Sequence, residues 1–153
     1  MRIQIILALA VLPNLAYAKV ESTSGHAFVE VTNQPEFGTA WKDESGVTWG
    51  DVAMGPDALP RSLNEEEAAS YCRSIGATLP TREQFKMLSK YLGYGSASGY
   101  SPEILPHLDG RYYWSSSVEP LDISMNNVFY SGNGSILSNK REGNNVSVRC
   151  VAN

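Results

Sequence analysis

The stretch Asn64–Leu92, NEEEAASYCRSIGATLPTREQFKMLSKYL, carries the clearest signals for secondary structure in this chain. Asn64 is suited to cap the start of a helix, and Glu67, three residues later, completes a capping box. Gly76 can end that helix in the left-handed conformation. The sequence therefore predicts a first helix over about residues 65–75.

A second helix follows a tight elbow at Leu79-Pro80. Thr81 and Gln84 repeat the capping-box pattern directly after the proline. Beyond them, apolar side chains recur at helical spacing: Phe85, Leu88 and Leu92. We therefore predict a second helix over about residues 82–92.

The remaining regular structure is predicted to be β-strand, because apolar and polar residues alternate between turn signals. The predicted strands lie at His26–Thr32, Thr39–Trp41, Val47–Ala53, Tyr112–Ser117, Asn127–Ser131, Ser135–Ser138 and Val146–Val151. Of these, Asn127–Ser131 and Val146–Val151 alternate well enough to predict one buried and one exposed face each. Strands, two helices and then more strands indicate an α+β fold, with two helices flanking a mostly antiparallel sheet and long irregular loops.

The start of the chain resembles a secretory signal peptide. Arg2 precedes an apolar run from Ile3 to Leu12, and Ala16-Tyr17-Ala18 offers small residues before a cleavage site at Lys19. We predict a signal peptide over 1–18, an N-terminal segment with the first strand over 19–36, and the main domain over 37–153. The mature protein is then periplasmic, displayed on the outer surface or secreted, and no later segment is long and apolar enough to span a bilayer.

Charge excludes two classes of partner. Cleavage would remove one of the 12 basic residues and none of the 16 acidic ones, leaving a net charge of −5. This balance argues against non-specific binding to nucleic acid and against adhesion to anionic lipid.

The chain has two cysteines, Cys72 in the first predicted helix and Cys150 near the C-terminus. In an oxidising compartment a single disulfide between them is the expected outcome. A catalytic or metal-binding cysteine pair is the alternative.

Several motifs in one order resemble a known family. They are Gly38-Thr-Ala-Trp41, Ser45-Gly-Val-Thr-Trp49, Tyr71-Cys72 followed by Gly76-Ala-Thr-Leu-Pro-Thr81, Tyr112-Tyr-Trp-Ser-Ser-Ser117 and Val148-Arg-Cys-Val151. This pattern, from about Phe37 to Val151, resembles the DUF1566 or Lcl C-terminal domain, a small bacterial branch of the formylglycine-generating-enzyme-like, C-type-lectin-like superfamily. The resemblance implies a C-type-lectin-like fold and a disulfide from the helix to the last strand. Some similar domains end adhesins that attach to polysaccharides.

Enzyme activity is not predicted. The best-known activity of the superfamily is copper-dependent oxidation of a sulfatase residue to formylglycine, which uses a pair of active-site cysteines, and here both cysteines are expected in the disulfide. His26 and His107 have no catalytic motif around them, and Ser115–Ser117 lack the Gly-x-Ser-x-Gly spacing of hydrolases. A divergent enzyme with a site built from other residues remains the alternative.

No cofactor is predicted, since no His/Cys cluster suits zinc. A structural calcium ion is left open because lectin-like folds often hold calcium with loop oxygens. The calcium-dependent sugar-binding triplet is absent, and Glu119-Pro120-Leu121 has a leucine where an amide or carboxylate should stand. The candidate oxygen donors, which we place in adjacent loops, are Asp109, Glu119, Asp122, Asn126 and Asn127.

Aromatic and polar side chains of the second half form the candidate ligand-binding surface, since aromatic faces stack on sugars or peptide side chains and polar groups supply hydrogen bonds. The candidates are Tyr94, Tyr100, Arg111, Tyr112, Tyr113, Ser115, Ser116, Asn126, Asn127 and Tyr130. A structural interpretation competes: alternate rings of the Tyr112 strand must pack inward, Trp114 suits the core, and the serines can satisfy backbone groups. Arg149 either lies on an exposed face or anchors the Tyr112 strand.

The sequence as a whole predicts an exported bacterial binding module without catalytic activity, whose partner is a glycan or a protein. A divergent formylglycine-generating-enzyme-like enzyme and a structural cell-envelope protein are the alternatives. The ligand, the oligomeric state and the final compartment stay open.

Overall fold

A computed structural model of the protein describes residues 19–21, 25–34, 36–94, 105–108, 110–142 and 146–152. The predicted signal peptide at 1–18 lies outside these residues. The elements are β1 (Lys19–Glu21), β2 (Ala27–Gln34), β3 (Gly38–Lys42), β4 (Thr48–Val52), β5 (Ser62–Leu63), α1 (Glu65–Ser74), α2 (Arg82–Tyr91), β6 (Tyr112–Glu119), β7 (Asp122–Tyr130), β8 (Ser135–Lys140), β9 (Val146–Ser147) and β10 (Arg149–Ala152). The predicted α+β class is confirmed.

Both predicted helices begin at their capping boxes. At α1 the backbone N–H of Glu67 donates to Asn64 Oδ1 at 2.9 Å, and the N–H of Asn64 donates to Glu67 Oε2 at 3.0 Å. At α2 the same reciprocal pair joins Thr81 and Gln84. Each box satisfies backbone donors that the first turn of a helix leaves free, which is why the starts were readable from sequence.

The strands form two five-stranded sheets. The first has the order β1-β2-β3-β4-β10 and the second β5-β9-β6-β7-β8. Among the strands of the described residues, all pairs are antiparallel except β6 with β9, which run parallel. Among the described residues, no helix is both long and apolar enough to cross a membrane.

The prediction of one strand with one exposed face at Val146–Val151 is wrong. The chain passes from one sheet to the other at Val148: β9 pairs within the second sheet and β10 within the first. Every residue from 146 to 151 is buried. The prediction of one exposed face for Asn127–Ser131 is also wrong. Asn127–Phe129 are buried on both faces because the second sheet is covered on both sides.

The core has two clusters, one on each face of β6 and β7. On one face, Phe85 of α2 stacks on Phe129 at 4.7 Å between ring centroids and contacts Trp49 at 5.8 Å. On the other face, Trp114 packs with Val128 and with residues of α1. Adjacent residues of a strand point to opposite faces, so the two helices lie on opposite sides of this sheet.

A disulfide joins Cys72 of α1 to Cys150 of β10, as predicted, with 2.02 Å between the sulfur atoms. Both cysteines are buried in the second core cluster. The bond therefore ties a helix on one side of the second sheet to a strand of the first.

The turn between β7 and β8 leaves no room for a side chain at Gly134. Gly134 has φ +73°, and a Cβ there would lie 2.5 Å from Tyr94 Cγ and 2.6 Å from Ser89 Oγ. Gly38 has the same φ of +73° with no atom within 4 Å of a Cβ. Replacing Gly38 therefore introduces backbone strain alone, whereas replacing Gly134 introduces the same strain together with a steric clash.

We expect Gly134→Ala to lower the free energy of unfolding by about 2 kcal/mol, since left-handed strain and overpacking add. Gly38→Ala is the matched control and should cost about 1 kcal/mol, from backbone strain alone. Urea unfolding of the two variants measures the difference. Equal losses would show that Tyr94 and Ser89 move aside without cost.

Candidate functional site

Two of the predicted ligand-binding residues meet on an exposed face of the second sheet. Tyr112 of β6 and Tyr130 of β7 are register partners, and their rings stack with centroids 4.6 Å apart and 25° between the planes. Tyr112 is 45% exposed and Tyr130 is half-buried. The pair therefore offers a preformed aromatic surface to solvent.

An apolar neighbour on β8 extends this surface. Leu137 of β8 is the register partner of Val128 of β7. Val128 is two residues before Tyr130 on β7, so Val128, Leu137 and Tyr130 lie on the same face of the sheet. Its side chain is exposed. We call Tyr112, Tyr130 and Leu137 the tyrosine platform.

The turn after β7 holds Tyr130 in place. A Cβ at Gly132 would lie 2.5 Å from the Cζ and hydroxyl oxygen of Tyr130, so the backbone of the turn lies directly against this ring. Beside the ring, Ser135 donates its hydroxyl and its N–H to Asn133 Oδ1. Polar groups thus border the platform on the turn side.

Four other candidates are buried. The hydroxyl of Tyr113 donates to the carbonyl of His107 at 2.5 Å. The amide of Asn126 donates to the carbonyl of Ser115 at 3.0 Å, and that of Asn127 donates to a carboxylate of β6. These contacts are internal, so Tyr113, Ser115, Asn126 and Asn127 stabilise the fold and present no surface to a ligand.

The remaining candidates are placed elsewhere. Ser116 is exposed, but its N–H donates to the carbonyl of Pro80, so its strand segment docks against the elbow before α2. Tyr94 lies on the other face of the sheet, edge-on to Phe129. Arg111 is half-buried beside Ser131, and Tyr100 lies outside the described residues. The platform therefore contains Tyr112 and Tyr130 of the ten predicted residues, and it adds Leu137, which the strand alternation alone did not single out.

The four proposed calcium donors that the structure describes, Glu119, Asp122, Asn126 and Asn127, lie in strands and not in loops. Glu119 and Asp122 are strand residues that face each other across the two-residue turn Pro120–Leu121. Glu119 accepts hydrogen bonds from Ser138 at 2.6 Å and from Asn127 at 3.0 Å. The placement in loops was wrong because β6 and β7 extend further than their alternation indicated.

Asp122 is also engaged, since its Oδ1 accepts the hydroxyl of Ser124 at 2.6 Å and the N–H of the same residue at 2.9 Å. Asp109 is outside the described residues. Within the residues that the structure describes, no group of three or more His, Cys, Asp or Glu side chains is arranged to hold a metal ion.

Hydrogen bonding from Ser138, and more weakly from Asn127 together with the charge of Arg82, lowers the pKa of Glu119 below its usual value. A carboxylate whose pKa is lower in the folded state stabilises the fold above its unfolded pKa, and this contribution is lost as the pH falls through the folded value.

We therefore expect Glu119→Gln to have a lower melting temperature than wild type at neutral pH. The difference should shrink as the pH falls below the usual range of a glutamate carboxyl, because the carboxylate of the wild type then becomes protonated. Thermal unfolding at neutral pH and at a series of acidic pH values measures this. Glu142→Gln, at an exposed position after β8 and outside any helix, controls for the loss of one negative charge. A deficit of Glu119→Gln that persists undiminished at low pH would contradict the prediction.

Both histidines contact carboxylates. His107 Nδ1 lies 3.1 Å from both carboxylate oxygens of Asp51, and His26 Nδ1 lies 3.0 Å from Glu44 Oε2. The hydroxyl of Ser117 accepts the N–H of Arg82, and that of Ser115 accepts the N–H of Ser117. The serine hydroxyls are thus used to bind backbone groups near the start of α2.

Arg149 is fully buried and bridges β4 and Pro106. Its guanidinium donates to the carbonyls of Gly50, at 2.7 Å, and Pro106, and lies 3.4 Å from Asp51. It also lies over the ring of Tyr113, with 5.8 Å from Cζ to the ring centroid. Burial lowers the pKa of Arg149, while the neighbouring Tyr113 and Asp51 oppose that shift. Of the two predicted placements, the exposed one is wrong. The hydrogen bonds of Arg149 go to Gly50 of β4 and to Pro106, and the guanidinium reaches the Tyr112 strand through the ring of Tyr113.

Comparison with known proteins gives no assignment: no protein-family model matches the chain, and a search of curated proteins finds no match. The resemblance to DUF1566 domains stays a prediction.

Proposed function

We propose that this protein is an exported bacterial binding protein, without catalytic activity, that recognises a glycan through the tyrosine platform. The observation that carries the proposal is the stacked pair of Tyr112 and Tyr130 on an exposed sheet face. A folded protein gains stability by burying large aromatic rings, so a preformed exposed pair is a feature that a binding role explains.

The geometry suits a sugar. Tyrosine supplies a large, rigid contact area that loses little conformational entropy on binding, and its hydroxyl supplies a hydrogen bond. The apolar C–H face of a pyranose can lie on such a ring, while its hydroxyls reach the polar groups of Asn133 and Ser135 at the rim. The platform is an open surface on a sheet, which fits a segment of an extended chain better than a small molecule that needs enclosure.

Charge favours a neutral glycan. The chain has a net charge of −4, which repels acidic polysaccharides. At the far end of β8, the guanidinium of Arg141 is occupied by the carboxylate of Glu65 at 2.7 Å. A basic patch at that end is therefore partly neutralised.

Export is supported by the predicted signal peptide at 1–18 and by the disulfide between Cys72 and Cys150. A C-type-lectin-like arrangement, which the resemblance implies, is part of the same proposal. The two sheets and two helices are compatible with it.

A glycan array probed with the exported protein tests the proposal, with calcium and with chelator. Tyr112→Leu removes the ring and should weaken selective binding at least about tenfold, the equivalent of about 1.4 kcal/mol. Tyr112→Phe keeps the ring and is the matched control, which should bind within about threefold of wild type. The chelator arm shows whether calcium contributes.

Gly132→Ala gives an independent test because it keeps both tyrosines and displaces the ring of Tyr130. Binding should weaken while the free energy of unfolding changes little. No selective glycan binding, or binding that survives Tyr112→Leu unchanged, would overturn the proposal and direct the search to protein partners.

A further inference from the structure

The second sheet has a cleft at the end of β8 that lies away from the tyrosine platform. It encloses about 750 Å³ between the start of α1, the start of β7 and the end of β8. It is lined by residues 64–66, 123–124 and 140–142. We call it the β8 cleft.

The β8 cleft and the tyrosine platform share one face of the sheet. Arg141 continues the register of β8, since its N–H donates to the carbonyl of Ser124, and it lies four residues after Leu137, so both side chains point to the same side. This is the side that α1 covers, because Arg141 Nε and Nη2 donate to Glu65 Oε2 of α1 at 3.0 and 2.7 Å. Val128, the register partner of Leu137, packs with residues of α1 as well. One side of β8 therefore leads from the platform to the cleft.

The path along β8 is straight and open. Its register with β7 runs without a shift from Tyr130 and Ser135 to Met125 and Lys140. β8 is the last strand of its sheet, and Leu137 is exposed on this path. Between the positions of Tyr130 and Ser124 a strand rises by about 20 Å. A ligand that contacts both ends must therefore be a long, extended chain.

The charges of the β8 cleft nearly balance. Arg141 is paired with Glu65, and Lys140 faces the same cleft as Glu66 and Glu142. Two cations and three carboxylates give the lining a net charge of −1. Such groups form charge-assisted hydrogen bonds with hydroxyls, and each hydroxyl can both donate and accept. The cleft therefore matches a neutral ligand that is rich in hydroxyls.

An apolar side chain completes the cleft. Ile123 lines it and is 81% exposed. The C–H face of a pyranose can cover such a side chain while its hydroxyls reach the charged groups. The β8 cleft thus combines an apolar contact with polar groups, as the tyrosine platform does.

We propose that the β8 cleft is a second subsite for the glycan of the tyrosine platform, and that this glycan is a neutral, β-1,4-linked chain lying along β8. The inference rests on the proposed function, because the platform holds one end of the chain. Equatorial β-1,4 linkages produce straight chains, which the straight path along β8 requires. A disaccharide is shorter than this path and occupies one subsite, whereas a hexasaccharide reaches both.

Titration of the exported protein with cello- and chito-oligosaccharides, followed by protein NMR, tests this inference. In at least one series the hexasaccharide should bind at least about tenfold more tightly than the disaccharide, since the second contact becomes intramolecular. The double variant Ile123→Ser/Lys140→Gln removes the apolar side chain and one cation of the cleft. It should lose this gain and bind the disaccharide, which the platform holds, within about threefold of wild type.

The matched control is Leu59→Ser/Lys90→Gln. It removes the same kinds of group at exposed positions outside the platform and the cleft, so the gain with chain length should persist. Tyr112→Leu should weaken the binding of both lengths. Circular dichroism and the urea midpoint of each variant show that it is folded.

Equal affinity for the two lengths, or a gain that survives Ile123→Ser/Lys140→Gln, overturns the second subsite. If Tyr112→Leu still weakens disaccharide binding in these cases, the proposed function stands and the inference alone fails. A protein that binds neither series overturns the β-1,4-linked chain along β8, even where the array detects another glycan. An array without selective binding overturns the proposed function and this inference together.

Discussion

Removal of the Cys72–Cys150 disulfide is expected to lower the free energy of unfolding by up to about 4–5 kcal/mol. The bond closes a loop with a sequence separation of 78 residues, and in the chain-entropy model it restricts the unfolded chain over that whole length. The double variant Cys72→Ala/Cys150→Ala also leaves small gaps in a core cluster, which adds to the loss. Urea unfolding of the oxidised wild type and the double variant measures the difference.

Reduction of the wild type with dithiothreitol is the control for this prediction. It should bring the urea midpoint of the wild type down towards that of the double variant, whose own midpoint should not respond to the reductant. A double variant within about 1 kcal/mol of the oxidised wild type would show that the denatured chain is already compact across this loop.

Arg149→Met is expected to lower the free energy of unfolding by about 2–4 kcal/mol. The guanidinium is fully buried and donates to the carbonyls of Gly50 and Pro106. Methionine has a similar length but no donor, so these acceptors lose their hydrogen bonds in a site that water does not reach. Urea unfolding is the measurement, and a loss of binding at the tyrosine platform is not expected.

The matched control is Arg73→Met, since Arg73 is an exposed residue of the last turn of α1. Its loss should be within about 0.5 kcal/mol. Some buried charges cost more to desolvate than their contacts return. If Arg149→Met is as stable as the wild type, that is the case here, and the hydrogen bonds to the carbonyls of Gly50 and Pro106 contribute no net stability.

The candidate site shows where alternation along a strand is informative and where it fails. The Tyr112 strand predicts that alternate rings pack inward, and Trp114 is buried as expected. Tyr113 is buried as well, because α2 covers the face of the sheet opposite to α1. Tyr112 is exposed because it is the first residue of β6 and lies beyond the part of the sheet that is covered. Only the position along the strand, together with both helices, distinguishes the three rings.

Local chemistry determined much of this protein from sequence alone. Capping boxes join residues three apart, so both helix starts were readable at Asn64 and Thr81. The chain contains two cysteines, so an intramolecular disulfide could form only between Cys72 and Cys150, and the structure contains this bond. The α+β class followed from the order of the elements.

The tertiary structure decided what depends on residues far apart in the chain. The passage from one sheet to the other at Val148, the burial of Arg149 between β4 and Pro106, and the stacking of Tyr112 on Tyr130 each depend on strand register and on what covers each face. These are set by packing across the whole domain, where a local pattern is equally compatible with several partners. The sequence therefore identified the tyrosines as candidate binding residues. Only the tertiary structure shows that Tyr112 and Tyr130 stack on an exposed face.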